Sequence, residues 1–128
     1  MDPGFSDFTG YLLGYYDFLN ARYYIEGESL VKRVNSKVIA DAIKAVEKEV
    51  FPNEQVYLRY SDTAPQVICD MAQLHDLQFV STRKDNKDAQ INHVRTSILT
   101  NKLYIHPRCI NLRRQLKTAV WSYGSWFF

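Results

Sequence analysis

Asp62 follows a short predicted strand and precedes a predicted helix, a position at which a carboxylate can bind a metal ion. Residues 56–60 are rich in β-forming side chains and predict the strand. The spacing of Thr63 and Gln66 is that of a capping box, and Pro65 suits a first helical turn. Ligands in open α/β sheets bind at the carboxyl ends of strands, so Asp62 is a candidate metal ligand. The alternative is an ordinary turn residue.

Two more carboxylates lie near the start of the chain. Asp2 and Asp7 are five residues apart in a segment whose Asp-Pro-Gly sequence is typical of a turn. A loop that carries two acids could supply further ligands to a metal held by Asp62. A flexible N-terminal segment is the alternative interpretation.

Charge is divided unevenly along the 128 residues, although the net charge is only +2. Residues 1–82 carry 7 Lys/Arg and 12 Asp/Glu, a balance of −5, whereas residues 83–128 carry 9 and 2, a balance of +7. An acidic half that holds cations and a basic half that holds phosphates would suit a metal-dependent enzyme acting on nucleic acid. Such a division also arises by chance.

The basic half contains a candidate phosphate-binding loop. Residues 83–88 read Arg-Lys-Asp-Asn-Lys-Asp and precede a predicted helix. Lys84, Lys87 and Arg95 lie at its N-terminal side, where backbone N–H groups also favour anions. The loop and the helix therefore predict a surface that binds phosphates.

Size and composition indicate one globular domain with reduced cysteines. The hydrophobic content is 46% and the charged content 23%. Cys69 and Cys109 fit no metal-binding spacing and predict no disulfide framework. No apolar run approaches membrane-spanning length, and no signal peptide opens the sequence.

Hydrophobic periodicity predicts alternating strands and helices. Two β-rich runs, 9–18 and 22–31, are close enough to form a hairpin. The helix over 89–100 is expected to bury Ile91, Val94, Ile98 and Leu99. The remaining elements are helices at 36–51, 64–75 and from 110 to about 120, and strands at 77–81 and 102–106.

Several other chemistries lack support. No P-loop sequence is present, and no nucleophile elbow precedes a serine. His75, His93 and His106 are too scattered to predict a metal site and are expected to be ordinary surface or half-buried histidines.

The order of these elements resembles the C-terminal nuclease domain of phage large terminase subunits, the RNase H-like DNA-packaging proteins. The resemblance covers residues 2 to about 121. It is carried by three segments, closed by Lys-Leu-Tyr-Ile-His-Pro-Arg-Cys, a helix and Trp121. The segments are Asp-Pro-Gly-Phe-Ser-Asp-Phe-Thr-Gly at 2–10, Tyr-Ser-Asp-Thr-Ala-Pro at 60–65, and Arg-Lys-Asp-Asn-Lys-Asp-Ala-Gln-Ile-Asn at 83–92.

The resemblance implies specific roles. Asp2 looks like the first metal-binding and catalytic aspartate of the family, Asp62 like the second, and Asp7 like an additional acid found in some members. Two Mg²⁺ or Mn²⁺ ions held by such carboxylates are the expected cofactors. Arg83, Lys84, Lys87 and Arg95 would contact the backbone of double-stranded DNA.

By the same resemblance, the full protein would have an N-terminal ATPase domain, a small terminase subunit and a portal as partners. It would act in the cytoplasm of an infected bacterium, away from any membrane.

The sequence departs from the family pattern at both ends. Only Met1 precedes Asp2, so the central first strand of the sheet is expected to be missing, and the C-terminal helix that carries the third metal-binding aspartate also lies beyond this sequence. The expectation is therefore a partial RNase H-like domain over 1–128, a mixed sheet flanked by helices, with slow or undetectable activity. Alternatives are a non-catalytic remnant that binds DNA or packaging partners, and another RNase H-like nuclease such as a junction resolvase.

Overall fold

The structure is a computed structural model in which strands and helices alternate along the chain. It describes residues 1–2, 8–32, 35–62, 64–82 and 86–118, and the backbone of 120–122 and 125–127. The helices are α1 Ser36–Val50, α2 Pro65–His75, α3 Lys87–Leu99 and α4 Ile110–Thr118. The strands are β1 Phe8–Asp17, β2 Arg22–Lys32, β3 Tyr60–Ser61, β4 Val80–Ser81, β5 Leu103–Ile105, β6 Val120–Ser122 and β7 Ser125–Phe127.

The long hairpin forms one half of the sheet. β1 pairs with β2 in antiparallel register from Phe8 opposite Lys32 to Asp17 opposite Arg22, with a bulge between Leu13 and Gly14. β5 adds to the far side of β2 in parallel. At the bulge, a Cβ on Gly14 would lie 2.2 Å from the carbonyl oxygen of Tyr24, so this crossing requires glycine.

Met1 and Asp2 connect the hairpin to the parallel pair β3 and β4. Asp2 exchanges both backbone hydrogen bonds with Gly10 of β1, at 2.7 and 3.0 Å. On the other side, the Met1 amino group donates to the Tyr60 carbonyl (2.7 Å), and the Asp62 N–H donates to the Met1 carbonyl (3.0 Å). The strands therefore lie side by side in the order β5, β2, β1, β3, β4 and form a mixed sheet. Met1 and Asp2 occupy the central position of this sheet, between β1 and β3.

The core lies between the sheet and α1 and α2. Helix α1 presents Ile39, Ala40 and Ile43 to Tyr11 and Leu13 of β1. The other core residues come from α2 and from the segment leading into β4, namely Ala64, Val67, Met71, Leu77 and Phe79. The buried face of α1 is therefore the one that the apolar spacing of its sequence predicts.

Some sequence expectations were wrong. Helix α3 does not bury its apolar stripe, since Val94, Ile98 and Leu99 are 43%, 45% and 75% exposed. In the part of the chain that the structure describes, α3 contacts mainly the short strand β5, which is too small to cover that stripe. The strand predicted at 56–60 is paired only at its end, because β4 is only two residues long.

Candidate functional site

Asp2 and Asp62 occupy neighbouring positions on adjacent strand ends. The hydrogen bonds of Met1 with Tyr60 and Asp62 have the parallel pattern, which sets Met1 opposite Ser61 and Asp2 opposite Asp62. Adjacent strands are roughly 5 Å apart, so the two aspartate backbones lie side by side. Asp2 is exposed and Asp62 is half-buried.

The Met1 amino group is subject to two opposing electrostatic effects. Burial is the larger one and lowers the pKa of this ammonium, while the negative charges of Asp2 and Asp62 act in the opposite direction.

A cavity of about 560 Å³ opens beside Asp2. It lies between β1, β2 and the N-terminal half of α4. Glu28 of β2 also lines it, but its carboxylate accepts hydrogen bonds from the N–H groups of Asn111 (2.7 Å) and Leu112 (2.8 Å). Glu28 therefore caps α4, and its negative charge is favourable at that helix end. The sequence analysis did not predict this role.

Within the described residues, no group of three or more His, Cys, Asp or Glu side chains could hold a metal ion. Asp7, the predicted additional acid, lies outside those residues. Glu26 approaches Arg108 at 3.9 Å, and the Asp70 carboxylate accepts a hydrogen bond from Gln66 at 2.9 Å. Of the three predicted metal ligands, the structure describes Asp2 and Asp62.

The donor chemistry of this pair suits hard divalent ions. Two carboxylates supply oxygen ligands, which Mg²⁺ and Mn²⁺ prefer over the nitrogen and sulfur ligands of softer metals. Mg²⁺ commonly keeps several water ligands and needs only one or two protein carboxylates. Asp2 and Asp62 therefore fit the binding of one ion.

The predicted DNA-binding residues are only partly covered by the structure. Lys87 and Arg95 both lie on α3 with exposed side chains. Arg83 and Lys84 lie outside the described residues.

A second basic surface was not among the predicted site residues. Arg113, Arg114 and Lys117 are exposed on α4, the helix whose other residues line the cavity beside Asp2. The spacing of these cations at i, i+1 and i+4 was visible in the sequence. The position of their helix beside that cavity depends on the packing of α4 against β2 and was not visible in the sequence.

Comparison with solved structures identifies the fold of the chain. No family model matches the sequence, and no curated protein matches it. Among solved structures, the chain is similar to the nuclease domain of the large terminase (g2p) of bacteriophage SPP1, a structure with bound Mn. The match has a TM-score of 0.69 and 21% sequence identity, and covers 94% of this chain and 67% of that one. The chain therefore has the α/β fold of a terminase nuclease domain, and the expected RNase H-like fold class is confirmed.

No helix in the described part of the chain is both long and apolar enough to cross a bilayer.

Proposed function

We propose that the chain is the metal-dependent endonuclease domain of a phage terminase large subunit, which cuts double-stranded DNA during genome packaging. The observation that carries the proposal is the adjacency of Asp2 and Asp62 at the ends of neighbouring parallel strands. The terminase nuclease fold, seen with bound Mn in the SPP1 protein, supports it.

Asp2 and Asp62 are the proposed metal ligands, with Asp7 as an additional ligand. When bound, Mg²⁺ or Mn²⁺ at such a site lowers the pKa of a bound water and stabilises the leaving oxygen of a phosphodiester. The protein's part is to hold the two carboxylates at fixed strand ends. Two ions would need more carboxylates than this pair, so the 128-residue polypeptide is expected to bind one ion well and to cut DNA slowly or undetectably.

The proposed DNA contacts are Arg83, Lys84, Lys87 and Arg95. Cations of this kind bind the phosphate backbone without reading sequence. In this role the chain is one partial RNase H-like domain of a longer protein. An N-terminal ATPase domain, a small terminase subunit and a portal would be its partners in the cytoplasm of the infected host.

Mn²⁺ titration followed by electron paramagnetic resonance tests the metal site. We expect one Mn²⁺ per chain, with Asp62→Asn weakening binding at least tenfold because one of two ligands loses its charge. The matched control is Asp41→Asn, a carboxylate on α1 paired with Lys37 on an exposed surface. Equal Mn²⁺ affinity in Asp62→Asn and the wild type would refute the assignment.

Plasmid nicking in Mn²⁺ provides the second measurement. Robust cleavage by the 128-residue polypeptide would show that the named acids are not the whole site. Glu26, Glu28 and Asp70 would then be substituted first.

A second candidate function is binding of DNA without cleavage. Two observations favour it: the described residues contain no three-acid cluster, and α4 exposes Arg113, Arg114 and Lys117. Salt-dependent DNA affinity combined with absent Mn²⁺ binding would favour this candidate over the nuclease.

A further inference from the structure

The cavity between β1, β2 and α4 has a floor without a side chain, and we call it the Asp2 cavity. Phe8, Gly10 and Leu12 alternate to one face of β1, and Gly10 lies opposite Leu30 of β2. A Cβ added to Gly10 would come no closer than 3.9 Å to its nearest neighbour, Cδ1 of Leu30. At Gly10 the floor is therefore bare backbone with open space above it.

Apolar side chains stand around that floor. Phe8 and Leu12 are 55% and 47% exposed on β1, and Leu112 lines the Asp2 cavity from α4. The volume of about 560 Å³ lies within the range of cavities that bind small organic ligands. A flat ring that lies on the Gly10 backbone would contact apolar atoms of both β1 and α4. These walls and this volume suit one nucleobase.

The α4 wall also supplies a polar group. Gln115 is half-buried and lines the Asp2 cavity, whereas Arg113 and Lys117 lie on the exposed outer face of the helix. In the part of the chain that the structure describes, the Gln115 amide has no hydrogen-bond partner. A glutamine amide has two donors and an acceptor, which match the donors and acceptors on the edge of a nucleobase. Gln115 can therefore orient a base in the Asp2 cavity.

The charges at the rim favour a phosphate. Arg114 donates to Oδ1 of Asn111 at 2.9 Å, and Asn111 lines the Asp2 cavity, so an exposed guanidinium lies at the rim. Glu28 lines the same cavity, but its carboxylate binds two N–H groups at the start of α4 and is compensated by that helix end. A phosphate beside Arg114 would gain from the cation more than it loses to Glu28.

Asp2 connects this cavity to the candidate metal site. It exchanges both backbone hydrogen bonds with Gly10, and residues paired in this way have Cα atoms about 5.5 Å apart. Paired residues project to the same face of a sheet, so the Asp2 carboxylate lies at the edge of the floor. A phosphate held through a metal ion at Asp2 would leave the base of the same nucleotide within reach of Gly10.

A base enters a cavity of this kind only after it has left its stack. In a duplex, neighbouring bases cover both faces of a base and its partner strand covers one edge. Enzymes that hold a base between side chains therefore rotate it out of the helix or act on single strands. The occupant that fits the Asp2 cavity is thus an unpaired nucleotide.

We propose that the Asp2 cavity binds one unpaired nucleobase of the DNA strand whose phosphate is held at Asp2. The preferred substrate is then DNA with an unstacked nucleotide at the cut, and not a perfect duplex. The inference rests on the proposed function, because that function places the phosphate at Asp2. It adds a subsite for the base, formed by Phe8, Gly10, Leu112 and Gln115.

Three duplexes with the same flanking sequence and a fluorescein label at one end test the proposal. The first contains 2-aminopurine, a fluorescent adenine analogue, paired with thymine. The second carries it as a one-nucleotide bulge, and the third has an abasic nucleotide in the bulge. We expect fluorescence anisotropy to show about tenfold tighter binding of the bulged base than of the other two, because its unstacking costs less. Equal binding of the bulged base and the abasic bulge would overturn the proposal.

Protein variants locate the base. Gly10→Val fills the open space on the floor and is expected to abolish the preference for the bulged base without changing affinity for the perfect duplex. Gln115→Leu keeps the volume but removes the donors and the acceptor, so the preference should fall about fivefold. Gln73→Leu is the matched control, since Gln73 is exposed on α2 and does not line the Asp2 cavity.

Circular dichroism melting checks that each variant folds. If Gly10→Val does not fold, Gln115→Leu decides the assignment. Full preference for the bulged base in every folded variant would show that the base binds elsewhere and would overturn the proposal. Saturable change in 2-aminopurine fluorescence, present in the wild type and lost in the Gly10 variant, would support it.

Measurements in Mn²⁺ and in EDTA separate this inference from the proposed function. We expect the preference for the bulged base in both, with higher affinity in Mn²⁺. A preference without any gain from Mn²⁺ would overturn the metal site while the base-binding cavity stands. Mn²⁺ binding without the preference would overturn the base-binding cavity alone. A free deoxynucleotide that binds as tightly as the bulged duplex would identify a mononucleotide site and overturn the assignment to DNA.

Discussion

Glu47 joins three elements of the fold, and its removal should have a large and specific cost in stability. Its carboxylate accepts two hydrogen bonds from the Arg59 guanidinium, at 2.6 and 2.9 Å, and one from the Tyr11 hydroxyl at 2.8 Å. The Arg59 and Glu47 side chains are 19% and 14% exposed. This network ties α1 to β1 and to residues 56–60.

The expected cost of Glu47→Ala follows from these contacts. Hydrogen bonds to charged groups contribute about 1.5–3 kcal/mol each, and removing one partner of a fully buried ion pair costs about 3–5 kcal/mol. Partial exposure lets water reach the guanidinium, so the estimate is about 3 kcal/mol. Alanine is a good helix former, so the helix itself loses nothing. For a chain of this size, we expect the melting temperature to fall by about 10 °C.

Thermal and urea unfolding followed by circular dichroism measure the effect. Asp41→Ala is the matched control, because Asp41 lies on the same helix but its bond to Lys37 is exposed, at 60% and 75% for the two side chains. The stability lost in Asp41→Ala should be a small fraction of the stability lost in Glu47→Ala. The double variant Glu47→Leu with Arg59→Met should be more stable than Glu47→Ala, because no unpaired cation remains. Equal losses in Glu47→Ala and Asp41→Ala would refute the reasoning.

Two further predictions concern pH and DNA. Burial, and then the hydrogen bond to Glu47, raise the pKa of the Tyr11 hydroxyl well above its usual value of 10. The protonated Tyr11 hydroxyl therefore makes its full contribution to the free energy of unfolding below about pH 10. That contribution is lost as the pH rises further, by up to about 1.4 kcal/mol per pH unit. Tyr11→Phe should remove that part of the alkaline loss in urea unfolding, and parallel pH curves for the two proteins would contradict it. Changing Lys84, Lys87 and Arg95 together to Ala should flatten the dependence of DNA affinity on salt by about one unit of slope per lost phosphate contact. An unchanged slope in fluorescence anisotropy would move the DNA surface elsewhere, with Arg113→Ala and Arg114→Ala as the next variants.

The sequence predicted those helices and strands that are specified by residues close together in the chain. The hairpin, α1 and α2 were predicted within a few residues, because strand alternation, helical periodicity and the first-turn proline all act over short distances. The burial of α3 could not be predicted in this way. Its apolar spacing is helical, but burial requires a covering surface, and β5 supplies only three residues.

The candidate site depends on contacts between residues far apart in sequence. Met1 reaches Tyr60 across 59 positions, and Glu28 caps a helix 83 positions away. Periodicity contains no information on such pairings, because strand partners and caps are chosen by tertiary packing. The resemblance to terminase nuclease domains supplied the pairing of Asp2 with Asp62 that the residue pattern alone left open.

The candidate metal site depends on the two residues that lie between β1 and β3. Asp2 is held by its two backbone bonds to Gly10, and Met1 by its bonds to Tyr60 and Asp62. Metal ligands must be held within about 0.5 Å of their working positions, which requires a rigid support. The backbone hydrogen bonds of Met1 and Asp2 to Gly10, Tyr60 and Asp62 provide that support at the strand ends.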